Sequence, residues 1–173
     1  ALFHASAEDE APLVLFIHGG YWQALDRSFA SHCARGMNGR GIAVAVPSYD
    51  LCPAMPLAEI VAQMRAACAF LWRRTRRRIL ATGHSAGGHL AAMLLATDWP
   101  AYDASLPPGL VHAALPISGV FELEPLRATS VARPGSGAAT SSGRRPRITA
   151  RPGVAAPPGG SGTRSAPRTK APS

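Results

Sequence analysis

Five residues, Gly83-His84-Ser85-Ala86-Gly87, separate a β-forming apolar run (Ile79-Leu80-Ala81-Thr82) from an apolar helical run that extends from His89 to Ala96. A strand can pass into a helix through so short a turn only if the backbone at its apex is strained and its neighbours are small. Glycines two before and two after the serine meet that need, because other chain segments can then approach the backbone closely. The serine hydroxyl is left clear of the sheet. The new helix N-terminus directs unpaired N–H groups at any anion that forms beside it. The plainer reading is a structural βα turn whose serine only caps the helix.

A second glycine motif precedes the first. Leu13-Val14-Leu15-Phe16-Ile17 is a continuous run of β-formers, as expected for a strand covered on both faces. It runs into His18-Gly19-Gly20-Tyr21-Trp22. Acyl transfer through a serine needs donors for the oxyanion of its tetrahedral intermediate, and a glycine-rich loop lets backbone N–H groups reach it. A plain tight turn would use the same glycines. Both motifs in this order, each after a strand, are far less expected by chance than either alone.

Residues 12 to 131 resemble the α/β-hydrolase superfamily in its esterase and lipase branch. Within it, Phe16 to Trp22 and Gly83-His84-Ser85-Ala86-Gly87-Gly88-His89-Leu90-Ala91 are similar to the kynurenine formamidase (arylformamidase) group. Pro47-Ser48-Tyr49-Asp50-Leu51-Cys52-Pro53 and Ile117 to Leu126 fit the same group. The resemblance implies Ser85 as nucleophile and Gly20, Tyr21 and Ala86 as oxyanion donors. Tyr21 and Trp22 would line the acyl pocket or position an aryl substrate, or else pack the loop onto the domain. The implied reaction is hydrolysis of a carboxylic ester or N-formyl amide, such as N-formylkynurenine, through an acyl-enzyme. No cofactor is implied.

A serine hydroxyl needs a histidine to take its proton and a carboxylate to hold that histidine. In this superfamily the order is Ser, then Asp or Glu, then His. Beyond Glu124 the chain has no acidic residue, and beyond His112 no histidine. Asp98 and Asp103 come too early, and His112 is expected to point into the sheet or its flank. His84 is expected to pack beside the serine, and His89 to be turned away from the pocket by its helix. His4 and His32 read as surface or packing residues. No triad acid or base is assigned, so turnover is expected to be impaired. No His, Cys or carboxylate spacing points to a metal.

From Ala132 to Ser173 the chain is almost wholly Ala, Gly, Pro, Arg, Ser and Thr, with no aromatic residue. Such a segment buries too little surface to offset its ordering entropy, and disorder is expected. The abrupt change after Val131 fits a reading-frame change in a GC-rich gene, which resequencing codons 128 to 136 would test. Residues 1 to 126 carry nine Arg against ten Asp and Glu, whereas 127 to 173 carry eight Arg, one Lys and no acid. The net charge of +8 is therefore a property of the tail. A basic tail attracts anionic partners non-specifically, but without stacking aromatics or a binding fold it implies no specific nucleic-acid role. A non-catalytic hydrolase remnant with such a tail is the alternative reading of the whole chain.

Strands are expected near 13–17, 42–46, 78–82 and 111–117, with an earlier one at 1–4, and helices near 27–38, 57–73 and 86–97. Ile60, Val61, Met64, Cys68, Leu71 and Trp72 recur at helical spacing and mark a buried face. Alternating strands and helices predict an α/β fold: a partial α/β-hydrolase domain over 1–131, with a mostly parallel sheet covered on both faces, then the tail over 132–173. Four or five of the superfamily's eight strands are accounted for, as in a fragment, and the last would leave an exposed parallel edge. Cys33, Cys52 and Cys68 form no pairing pattern and read as free thiols. No apolar run approaches the roughly 20 residues that cross a bilayer, so no membrane partner is implied and a cytoplasmic location is expected.

Overall fold

The computed structural model describes residues 1–3 and 13–131. The chain runs β1 (Leu2–Phe3), β2 (Leu13–Ile17), α1 (Arg27–Ala30), α2 (Cys33–Asn38), β3 (Ala43–Ala45), α3 (Leu57–Thr75), β4 (Ile79–His84), α4 (Ala86–Leu95), α5 (Trp99–Tyr102) and β5 (Val111–Ile117), then a 3₁₀ turn at Glu124–Ala128. The five strands form one sheet in the order β1-β3-β2-β4-β5. Only β1 is antiparallel to its neighbour. This is the mostly parallel α/β architecture that the alternation of elements predicts. The expected tail, residues 132–173, lies outside the described residues, as does His4.

β2 shows why an unbroken apolar run makes a central strand. Leu13, Leu15 and Ile17 join the larger core cluster, with Ile60, Met64, Cys68 and Leu71 of α3 and Leu90, Ala91 and Leu94 of α4. Phe16 turns to the other face and packs with Ala30, Ala34 and Met37 of α1 and α2 against Val44 and Val46. Side chains alternate across a strand, so both faces need apolar cover and no polar position survives.

From β2 the chain moves to β3 on one side and then crosses back to β4 on the other. Adjacent parallel strands whose connections leave in opposite directions open a crevice at their carboxyl ends. The two glycine motifs follow those two ends.

Several elements depart from expectation. The helix expected over 27–38 is two short helices. Ser31 Oγ donates to the Arg27 carbonyl at 2.7 Å, and the Ser31, Ala34 and Arg35 amides bond three residues back. A serine that competes for backbone groups in this way tightens the turn and divides the helix. α5 was not expected, although Asp98 caps it by accepting from the Ala101 N–H and a proline stands in its first turn, both start signals. His112, expected to point into the sheet or its flank, is exposed. The register jumps from Ile79–Val111 to Leu80–Ala113, leaving His112 as the extra residue of a bulge on the edge strand.

Candidate active site

Ser85 stands between β4 and α4 with φ 54° and ψ −115°, a conformation that costs an L-residue about 1–3 kcal/mol. Packing on three sides holds it there. Its amide donates to the Ile117 carbonyl at 2.9 Å, and its own carbonyl accepts the His89 amide at 3.1 Å. Gly87 lies against β2: a Cβ there would overlap the Ile17 carbonyl oxygen and come within 2.7 Å of that of His18. A Cβ on Gly19 would in turn lie 2.8 Å from the His84 carbonyl oxygen. The tertiary structure therefore brings the two glycine motifs into direct backbone contact. Ser85 remains partly exposed, and its hydroxyl has no hydrogen-bond partner among the described residues.

Gly20, Tyr21 and Trp22 have φ of 99°, 55° and 57°. Three successive left-handed residues, two of them not glycine, are uncommon and costly, and such runs gather where a site is built. Successive amides in a tight left-handed bend line a concavity that suits an anion. The Gly20 carbonyl accepts from the amides of Gln23 at 2.9 Å and Ala24 at 3.0 Å, and the Trp22 carbonyl accepts from the Cys52 amide at 2.7 Å. The amides of Gly20 and Tyr21 have no acceptor among the described residues. Ala86 opens α4, where the N–H lacks an intrahelical acceptor.

The aromatics of the loop take different places. Trp22 is fully buried and meets His89 edge-on, ring centres 5.3 Å apart. It packs the loop onto α4, while Tyr21 is exposed. His89 is buried, and desolvation lowers its pKa; its Nδ1 has no partner among the described residues. Its ring makes no hydrogen bond to Ser85 among the described residues. His84 and His32 are exposed.

Sequence reasoning gave no role to His18 or Tyr49. His18 is buried, and its ring stacks on that of Tyr49 at 4.3 Å and 9°. Burial lowers the His18 pKa and outweighs the opposing pull of the Gly19 carbonyl and Asp26. Burial likewise raises the Tyr49 pKa, so the phenol keeps its proton. The single Tyr49 Oη proton is shared between the carbonyls of His18 at 3.0 Å and Gly19 at 3.2 Å. A tyrosine in a Pro-Ser-Tyr-Asp turn carries no signal of such a bond, because its partner stands 31 residues earlier.

An apolar cavity of about 210 Å³ lies between Pro53, Pro56 and Leu57 on one side and Leu123, Leu126 and Val131 on the other. No group of three His, Cys, Asp or Glu among the described residues is placed to hold a metal ion. No helix among them is long and apolar enough to cross a membrane.

Residues 2–105 match the BD-FAE family. The chain is 33% identical over 132 residues to a kynurenine formamidase of Danio rerio, covering 75% of this chain and 44% of that protein. It is 35% identical over 127 residues to the Salmo salar kynurenine formamidase, covering 72% and 42%. A crystal structure from Silicibacter sp. TM1040, of a protein provisionally described as a thioesterase, superposes with a TM-score of 0.59 at 40% identity, covering 75% of this chain and 48% of that one. The chain thus spans less than half the length of these relatives. Family match, sheet order and the paired glycine motifs agree: the chain belongs to the BD-FAE family and is an α/β hydrolase of the formamidase-like kind.

Proposed function

We propose that this chain carries the nucleophile and oxyanion half of a serine hydrolase acting on a small carboxylic ester or N-formyl amide. The observation that supports the reading is the strained Ser85 at the β4–α4 turn, with the free amides of Gly20 and Tyr21 on the loop packed against it. Ser85 Oγ attacks the carbonyl carbon. The carbonyl π electrons move to oxygen, where the amides of Gly20, Tyr21 and Ala86 receive the charge, and the Ser85 proton passes to water. Collapse expels the alkoxide or amide nitrogen, which takes a proton from water, to leave an acyl-serine that a second water hydrolyses to the acid and free serine. The likeness to kynurenine formamidases favours a formyl amide on an aromatic ring, with exposed Tyr21 as the flat surface for the ring.

Among the described residues no histidine side chain is hydrogen-bonded to Ser85, and the sequence holds none after His112. Members of a triad act as a unit, so turnover by this chain is expected at least ~10³-fold below that of a relative with all three. A fluorophosphonate probe tests the nucleophile. It should label Ser85 slowly, with no labelling of Ser85→Ala; absence of label on folded chain defeats the proposal. Hydrolysis of a p-nitrophenyl ester at ordinary enzyme rates would overturn the impairment.

A further inference from the structure

The two loop amides assigned to the oxyanion belong to peptide units whose carbonyl ends are both held. The Tyr21 N–H shares a peptide plane with the Gly20 carbonyl, which the backbone amides of Gln23 and Ala24 clamp at 2.9 and 3.0 Å. The Gly20 N–H shares its plane with the Gly19 carbonyl, and there the clamp is made by side chains. Tyr49 Oη lies 3.2 Å and His18 Nδ1 2.9 Å from that oxygen. A carbonyl only accepts, so both groups are donors and the His18 proton sits on Nδ1. A trans peptide is planar and points its N–H opposite to its C=O, so holding the oxygen aims the amide. Hydrogen bonds on the oxygen also polarise the unit and strengthen its N–H as a donor.

We propose that Tyr49 is a positioning residue of the oxyanion site: its buried phenol, bonded to the His18 and Gly19 carbonyls and stacked on the His18 ring, holds the peptide that carries the Gly20 N–H, on the loop packed through Gly19 against the turn that holds Ser85. Tyr49 touches no reacting atom. Its catalytic consequence rests on the serine-hydrolase reading above, and its structural one on geometry alone.

Tyr49→Phe keeps the stacked ring and removes the donor. The first readout is the ¹⁵N order parameter of the Gly20 amide, expected to fall from the rigid value of about 0.85 to below about 0.6 while α4 keeps its own. The second compares two reactions at position 85. Phosphonylation of Ser85 by a fluorophosphonate places negative charge on the phosphoryl oxygen and expels fluoride. Alkylation of a Ser85→Cys chain by iodoacetamide forms an S–C bond, expels iodide and develops no oxyanion. Tyr49→Phe is expected to slow phosphonylation about tenfold or more and to leave alkylation within about twofold. Peptide mass spectrometry separates position 85 from Cys33, Cys52 and Cys68. An unchanged Gly20 order parameter, or equal slowing of both reactions, overturns the proposal. If Ser85 in the unsubstituted chain does not react at all, the serine reading fails, and the order parameter alone decides the role of Tyr49. Should Tyr49→Phe lose its near-ultraviolet circular dichroism, 3-fluorotyrosine at position 49, a stronger donor, replaces it: faster phosphonylation supports the proposal and an unchanged rate overturns it.

Discussion

At Gly87 one hydrogen atom decides whether two loops can meet. Its neighbours are the backbone carbonyls of Ile17 and His18, which cannot swing aside as a side chain would. Gly87→Ala is therefore expected to lose about 2–3 kcal/mol or more of stability in chemical unfolding. Gly36, inside α2, has nothing within 4 Å of a Cβ, and Gly36→Ala should gain about 0.5–1 kcal/mol in the same assay. Equal effects at the two sites would show that close approach is not what Gly87 serves. Both glycines are visible in the sequence, but the difference between them is not, because the carbonyls that crowd Gly87 belong to a strand some 70 residues away.

Among the elements, β5 is the least covered. It pairs with β4 on one side, has no strand on the other among the described residues, and exposes Leu115 and Ile117. An uncharged parallel edge invites pairing with another chain. Leu115→Lys places a charge on that strand and is expected to lower concentration-dependent self-association, read by sedimentation velocity, with no change in far-ultraviolet circular dichroism. If association is unchanged, the contact lies elsewhere. That β5 ends the sheet among the described residues agrees with the order of the strand-like runs. The bulge at His112 was not legible in the sequence, because it depends on how β5 registers against β4. The division of the helix over 27–38 depends on one hydroxyl choosing a backbone acceptor.

Over the whole molecule, His18 and His89 join the glycine loop after β2, α4 and core, and both are buried with a ring nitrogen lacking a partner among the described residues. Both have pKa values lowered from 6.5 by desolvation. Between the lowered values and 6.5 the unfolded chain binds protons that the folded chain refuses. Stability thus rises with pH through that window and falls as pH drops below about 6.5, by at most about 1.4 kcal/mol per pH unit for each histidine. Asp26 and Asp103 have lowered pKa values, mainly from hydrogen bonds with Ser28 and Ser105, and their share is lost only at more acid pH. His89→Phe keeps the edge contact with Trp22 and removes one titration. Denaturant midpoints between pH 7 and 5 should then fall less steeply than in the unsubstituted chain, with Ser85 labelling retained. An unaltered slope would acquit His89 of the acid sensitivity.

By itself the sequence determined the alternation of strands and helices, the two glycine motifs and the serine between them. Each rests on local pattern: apolar periodicity, chain reversal and the small residues that a strained turn demands. The amides of Gly20 and Tyr21 were left without an acceptor among the described residues, the loops came into contact, Trp22 went inward and Tyr21 outward, and Tyr49 reached the Gly19 carbonyl only in the tertiary structure. Those outcomes depend on the strand order that sets β2 beside β4, and a pairing between segments some 65 residues apart is governed by the packing of the whole core.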